Sequence, residues 1–296
     1  MIAVIDIGGT QIKYGVIDET VERLITLGKL DTQADEVEFD MLSRLNIVLG
    51  IITKLYRLNG IAISTAGTVN PKTGEIIYAN ENIPNYMGTR LKEELETTYK
   101  VPCEVENDVN CALLGEIHFG ERGTVDSALM MTIGTGVGGA IYLNQGIYHG
   151  YSFSAGEIGY SSLNQNNIES RISTSALVRR IQAEYPDVNV NGYWIFEQAK
   201  TGSEFINQIL DEFIDELGQV IINFVSVLNP EMVILGGGIM EQQEFLSKKI
   251  EKKFSEYPNK FVLEKTRLTF ASLGNNAGML GAYYHFKESQ KKTMNK

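Results

Sequence analysis

Ile5-Asp6-Ile7-Gly8-Gly9-Thr10-Gln11-Ile12-Lys13, set inside the run from Ile2 to Ile17, decides how this chain is read. An apolar stretch precedes the glycines and another follows them, so the segment predicts a hairpin with a phosphate-sized bend. The arrangement returns in Thr132-Ile133-Gly134-Thr135-Gly136-Val137-Gly138-Gly139, inside Leu129 to Leu143. Glycine lets the backbone approach an anion closely and aim successive N–H groups at it. One such loop early in each half predicts a duplicated fold gripping one polyphosphate from both sides. Alone, Gly8-Gly9-Thr10 is more readily a tight turn; Asp6 before it, Lys13 after it and the recurrence at Gly134 favour a nucleotide. Asp6 is suited to holding Mg²⁺ through water, since Mg²⁺ keeps several waters and takes few direct carboxylates. Thr10 and Lys13 are suited to donating to phosphate. The loop is neither a Walker GxxxxGK[ST] nor a GxGxxG that opens a helix.

The 296 residues suffice for two domains, each with its own core. A formal charge of −11 argues against nucleic acid, for which a basic face is expected. Cys103 and Cys111, the two cysteines, form no CxxC pattern, which fits a reducing cytoplasm rather than a disulfide framework. No basic and apolar leader precedes Ile2, so no secretion signal is expected. The apolar pattern of Phe205 to Leu228 is interrupted by Asp211, Glu212, Asp215 and Glu216, and its apolar residues recur at helical spacing. It predicts a helix with one buried face, not a membrane span.

Strands are expected at 2–7, 12–17, 24–30, 60–64, 101–106, 127–133, 138–143, 231–235 and 267–270. Helices are expected at about 36–55, 88–99, from near Asp108, about 170–184, 193–228, after Gly238 and at about 275–286. Hairpins followed by alternating strands and helices predict an α/β fold, a mixed sheet with helices on its faces. The expected division is a small N-terminal domain, 1–118 with the closing helix 275–286, and a larger one, 119–274. The polar tail 287–296 is expected to fray.

Three further segments invite chemistry. Gly236-Gly237-Gly238 follows the apolar strand Met232 to Leu235; such a junction suits a nucleoside on bare backbone, although strand–helix junctions also use glycine for steric reasons alone. Asn107 and Asp108 stand where a strand ends and a helix starts, as an N-cap or as a general base for phosphoryl transfer to an alcohol. In Ser154-Ala155-Gly156-Glu157-Ile158-Gly159-Tyr160, and at Glu169, a carboxylate is either presented from a loop or simply solvated.

Together these residues resemble the ROK family of sugar kinases and repressors, within the hexokinase–actin type of two-domain, ribonuclease H-like fold with a cleft between the domains. Asp6-Ile7-Gly8-Gly9-Thr10 with Lys13 is similar to the family's first phosphate loop, Gly134 to Gly139 to its second, and Gly236-Gly237-Gly238 to its adenosine-side loop. Glu106-Asn107-Asp108 is similar to its catalytic signature, which implies Asp108 as base and Asn107 as a sugar contact. Thr65-Ala66-Gly67-Thr68-Val69-Asn70 and Asn82-Ile83-Pro84 resemble its sugar-site loops. The family usually follows a GEIGH segment with a cysteine-rich zinc motif ending in a glutamate. Here the histidine is Tyr160, and Ser161 to Ile168 contains neither cysteine nor histidine, while Glu157 and Glu169 resemble the two sugar-facing glutamates. No structural zinc is therefore expected. A phenol in place of an imidazole at the sugar's anomeric end, beside a shortened loop, leaves room for a second sugar or an aglycone.

The resemblance implies in-line transfer of the ATP γ-phosphate to a primary sugar hydroxyl. Asp108 accepts the proton, Asn107 and Glu157 fix the ring, Glu169 binds near the anomeric carbon, and domain closure excludes water. Glucose, fructose and N-acetylmannosamine are the alternative acceptors to a β-glucoside. A repressor would carry a DNA-binding module ahead of Asp6, for which there is no room here; a non-catalytic sugar sensor, or ATP hydrolysis without a sugar, are the other classes. A cytoplasmic homodimer without membrane attachment is expected. His118, His149 and His285 receive no role beyond ordinary packing.

Overall fold

The structure, a computed structural model, describes residues 1–34, 39–256 and 258–294. In chain order it begins with strands β1 (Ile2–Ile7), β2 (Gln11–Asp18) and β3 (Arg23–Asp31), then helix α1 (Met41–Leu55). Strands β4 (Gly60–Thr65), β5 (Thr68–Asn70) and β6 (Glu75–Tyr78), helix α2 (Leu91–Tyr99), strand β7 (Cys103–Asn107) and helix α3 (Asp108–Phe119) follow. Next come strands β8 (Ser127–Ile133), β9 (Val137–Leu143), β10 (Gly146–Ile147), β11 (Ser162–Leu163) and β12 (Asn166–Asn167). Helices α4 (Glu169–Ile172), α5 (Thr174–Gln182), α6 (Gly192–Lys200) and α7 (Glu204–Leu228) lead to strand β13 (Met232–Gly236). Helices α8 (Gln243–Ser255) and α9 (Lys260–Leu263), strand β14 (Arg267–Phe270) and helix α10 (Ala277–Met294) complete the chain.

Two compact units result. One comprises Met1–Thr124, His149–Ser154 and Asn275–Lys296; the other comprises Val125–Tyr148 and Ala155–Gly274. Residues 119–124 and 149–154, expected in the second domain, thus lie in the first unit. Each unit is built on a five-stranded mixed sheet, ordered β3-β2-β1-β4-β7 in the first and β10-β9-β8-β13-β14 in the second. In both, an antiparallel hairpin (β1–β2, β8–β9) is joined on one side to parallel strands. The duplication expected from the two glycine turns is therefore visible in strand order.

The period of the strands distributes the first sheet's core between two faces. Ala3, Ile5 and Ile7 pack with Leu45, Leu49 and Ile52 of α1 and Leu91 and Leu95 of α2. Ile2 and Val4 point the other way, to Cys111 of α3 and Met279, Ala282 and Phe286 of α10. The α3–α10 contact is close: a Cβ at Gly281 would sit 1.7 Å from the carbonyl oxygen of Cys111. In the second unit α7 lays Ile206, Leu210, Phe213, Leu217 and Ile221 into one core with α5 and the sheet, as its helical spacing predicts.

Several helix bounds differ from the expectation, each for a local reason. Helix α1 starts at Met41 because Asp40 caps it, accepting from the N–H groups of Leu42 (3.2 Å) and Ser43 (3.0 Å); the expected residues 36–38 lie outside the described residues. The helix expected from 88 begins at Leu91. The helix expected at 170–184 is broken by Ser173, whose hydroxyl accepts from Ala176 N–H and caps α5. That expected at 193–228 is broken at Gly202, where φ is +92°, and Ser203 caps α7. The tail is also corrected: α10 continues to Met294, tied down by a Gln290 Nε2 bond to Glu104 Oε1 (2.9 Å) and by Lys287 on Glu22.

Candidate active site

In the first unit the parallel strands β1, β4 and β7 release the chain at their carboxyl ends into Gly8-Gly9-Thr10, Ala66-Gly67 and Asn107-Asp108. Open α/β sheets bind ligands at such ends. Thr32 fastens the first glycine turn, its hydroxyl donating to Gly8 O (2.7 Å) and its N–H to Thr10 O (2.8 Å). Asn82 lies beside it, 3.5 Å from where a Gly9 Cβ would stand.

Lys13, Asp6, Ser64 and Glu106 are register neighbours across β2, β1, β4 and β7. They therefore share one face of the sheet, the face otherwise filled by the apolar α3–α10 layer. Ser64 Oγ donates to Asp6 Oδ1 (2.6 Å), and Lys13 Nζ stands 3.8 Å from Asp6 Oδ2. Helix α10 closes the row. Asn275 accepts from Lys13 Nζ (2.9 Å), and a Cβ at Gly278 would lie 2.7 Å from Asp6 Oδ1, so only a glycine admits the carboxylate there. Burial pushes the Asp6 carboxyl above the ordinary aspartate value, against the Ser64 hydrogen bond and the Lys13 charge. One carboxylate of this kind beside a glycine turn is a donor set that fits Mg²⁺.

Asn107 and Asp108 form the turn between β7 and α3. Asn107 Oδ1 accepts from the N–H groups of Val109 (2.9 Å) and Asn110 (3.0 Å), which makes it the N-cap. Its Nδ2 donates to Gly67 O (2.9 Å) and Asp108 Oδ1 (3.0 Å), and Val109 N–H also donates to Asp108 Oδ1 (2.9 Å). The capping reading holds, and the cap also orients the Asp108 carboxylate at the mouth of the parallel strands. Beside it, the Tyr86 hydroxyl is 2.6 Å from Thr65 Oγ1, and burial pushes the phenol well above its ordinary range.

In the second unit Gly134-Thr135-Gly136 joins β8 to β9 and is fastened by Thr174 N–H, which donates to Gly134 O (2.8 Å). Gly236-Gly237-Gly238 packs against the foot of this loop. Gly237 has φ +91°, and a Cβ there would stand 2.4 Å from Ile133 O, so both the turn and the approach require glycine. A cavity of about 680 Å³ opens beside Thr135, walled by Thr174, Val178, Arg179, Gln182 and Asn191. None of Gly236 to Gly238 lines it.

Gly156 and Gly159 lie against Gly139 and Val137 of β9 and so hold the Glu157–Tyr160 segment on the second glycine hairpin. Glu157 and Tyr160 are exposed. Glu169 opens α4 and its Oε2 accepts from Val137 N–H (3.0 Å), bringing it to that loop. Between Tyr160 and Glu169 runs the two-stranded hairpin β11–β12.

The sequence-derived residues therefore fall into two sets. Asp6, Gly8, Gly9, Thr10, Lys13, Gly67, Asn82, Asn107 and Asp108 gather in the first unit, and Gly134, Thr135, Gly136, Glu157, Tyr160, Glu169 and Gly236 to Gly238 in the second. Sequence reasoning missed Ser64, Asn275 and Gly278. Gly274-Asn275-Asn276-Ala277-Gly278 carries a visible glycine–asparagine signal, but it reads only as a helix start. Also missed were His149 and His285, both of which approach Glu106.

The sequence pattern of the ROK family matches residues 2–289. A beta-glucoside kinase of Listeria monocytogenes is 32% identical, over 98% of this chain and 98% of its own. The structure of a ROK family protein from Streptococcus pneumoniae in complex with sucrose has a TM-score of 0.84 at 27% identity, covering 98% of this chain and 99% of that one. That of a ROK family glucokinase from Streptomyces griseus in complex with glucose and AMPPNP has a TM-score of 0.78 at 26% identity, covering 95% and 97%. The chain belongs to the ROK family and has the actin-like ATPase fold of that family's sugar kinases.

Proposed function

We propose that this chain transfers the γ-phosphoryl group of ATP to the primary 6-hydroxyl of a β-glucoside of the cellobiose class. Kinship with a beta-glucoside kinase along the whole chain supports the reaction and the acceptor together. The observation that carries the acceptor is the short β11–β12 hairpin between exposed Tyr160 and Glu169. It stands where the family resemblance leads one to expect a long zinc motif, and it leaves Tyr160 on the surface, where an aromatic ring suits the face of a second sugar.

In this reading the O6–H proton passes to Asp108 as the O6–P bond forms and the bond from Pγ to the ADP oxygen breaks. Asn107 holds the Asp108 carboxylate and a ring hydroxyl, Gly67 and Asn82 border the sugar, and Glu157 and Glu169 accept from its remaining hydroxyls. Gly8 to Thr10 with Lys13, and Gly134 to Gly136, offer N–H groups and a cation to the phosphates. The nucleoside occupies the cavity beside Thr135, and Gly236 to Gly238 support the foot of the Gly134–Gly136 loop. Asp6 would hold Mg²⁺ through water; bound there, the ion supplies charge neutralisation of the polyphosphate. The chain is read as a cytoplasmic homodimer that needs no zinc. Free glucose is the second reading, supported by the glucose complex of the Streptomyces griseus relative.

The test is Mg·ATP-dependent ADP release across glucose, fructose, mannose, N-acetylmannosamine, N-acetylglucosamine, cellobiose, gentiobiose and aryl β-glucosides. Turnover dominated by β-glucosides is expected. Preference for one free hexose would keep the kinase and discard the acceptor class, and silence on every sugar would leave a sensor.

A further inference from the structure

Glu106 is a fully buried carboxylate that the proposed chemistry does not use. It shares its sheet face with apolar residues, where a charged group costs more than an apolar one of similar volume unless every lone pair is engaged. Here both oxygens are engaged. Oε1 accepts from the backbone N–H of Asn107 (2.8 Å) and from Asn110 Nδ2 (3.0 Å), while Oε2 lies 2.7 Å from His149 Nε2. Asn107 and Asn110 bracket Asp108, so one carboxylate ties the residues before and after the proposed base.

Two imidazoles face Glu106, and they differ. His285 Nδ1 is 3.7 Å away, too far for a hydrogen bond, and burial pushes that ring's pKa down, leaving it neutral at neutral pH. His149 is at bonding distance and only partly covered, with 23% of its side chain exposed. Burial is the largest effect and alone would raise the Glu106 carboxyl; the His149 hydrogen bond leads the effects that outweigh it, with Asn110 as a second donor, and the group stays ionised. An ionised Glu106 fixes the tautomer: His149 Nε2–H donates. His149 heads the segment His149–Ser154, which returns to the first unit although its flanks belong to the second.

We propose that Glu106 and His149 are a positioning pair for the catalytic turn: His149 holds the Glu106 carboxylate, and the carboxylate holds Asn107 and Asn110 so that Asp108 meets the acceptor hydroxyl in one orientation. Buried hydrogen bonds to a carboxylate engaged at both oxygens restrict the groups that make them. The inference rests on Asp108 being the base.

The experiment is steady-state kinetics on the full chain with its best acceptor, comparing wild type, His149→Leu and His149→Gln, with a thermal melt of each. Leucine removes the donor; glutamine returns an amide N–H near the place of Nε2. His149→Leu should lower kcat about 10- to 100-fold, the scale of a small misplacement of a reacting group. KM for ATP should be unchanged, and His149→Gln should recover most of the kcat. An unchanged kcat in His149→Leu, whatever its melting temperature, overturns the proposal, as does an equal loss in both variants. If His149→Leu does not fold, His149→Asn, whose shorter amide does not reach Oε2, replaces it and must show the same kcat loss at unchanged KM for ATP; wild-type kcat in it overturns the proposal. A wild type active on a sugar but insensitive at His149 refutes the pair alone, whereas a wild type silent on every sugar removes the base and the pair together.

Discussion

Asp6 is held where its charge is uncomfortable: beneath Gly278, bonded by Ser64, with Lys13 beyond hydrogen-bond range. Because burial raises its folded pKa, the folded chain binds this proton more tightly than the unfolded chain does. The stability it contributes is complete below the ordinary carboxylate pKa and is lost as pH rises through the raised value. Asp6→Asn should therefore melt higher than wild type at neutral pH, converge with it in acid, and lose turnover; a lower neutral-pH melting temperature in the variant would contradict this. Asp108→Asn belongs to the other kind: sugar binding retained by titration calorimetry, kcat down about 10²- to 10⁴-fold, the usual worth of a general base. Retained turnover would end its assignment as base. Local sequence announced Asp6, Lys13, Asn107 and Asp108 because each sits at a strand–turn boundary. Ser64 was silent, and Glu106 stood in the Glu106-Asn107-Asp108 signature without a role of its own, because their meaning comes from register across three strands, which no local window contains.

At the level of elements, α10 is the decisive piece, for it covers one face of the first sheet, brings Gly278 against Asp6 and fixes the turn just before it whose Asn275 meets Lys13. Gly281→Ala would drive a methyl into the Cys111 carbonyl and should destabilise by about 1–3 kcal/mol or abolish folding, read by denaturant titration. Deleting residues 287–296 should lower the melting temperature by a few degrees, because Glu104 loses the Gln290 donor, a bond worth about 1 kcal/mol. The longer strands of the two five-stranded sheets and the apolar stripe of α7 were legible from period alone, whereas the short strands β5, β6 and β10 to β12 were not. The reach of α10 was not: its apolar pattern stops at Phe286, and the polar contacts of Lys287 and Gln290 depend on where β7 and the β2–β3 turn lie. The breaks at Ser173 and Ser203 were missed because apolar spacing continues across them, while the capping hydroxyls end each helix locally.

For the molecule as a whole, the equal strand orders of the two sheets express the duplication that two glycine turns announced. The family relationship carries the reaction class, and the β11–β12 hairpin carries the acceptor proposal. Metal analysis of the purified protein should find no stoichiometric zinc, and EDTA should abolish turnover until Mg²⁺ is restored; one zinc per chain would contradict the hairpin reading. Light scattering should give twice the 32.9 kDa chain mass. The first unit is interrupted, since all of the second is inserted before α10. On the ribosome β1 emerges long before its cover does, and the second unit can finish while Ile2, Val4 and Ala62 still await Met279 and Phe286. A chain whose translation stalls before α10 therefore leaves an apolar sheet face uncovered, open to chaperones and proteases. Completion of the first sheet thus waits on α10, so a product cut short before Ala277 lacks the cover of one face of its first core.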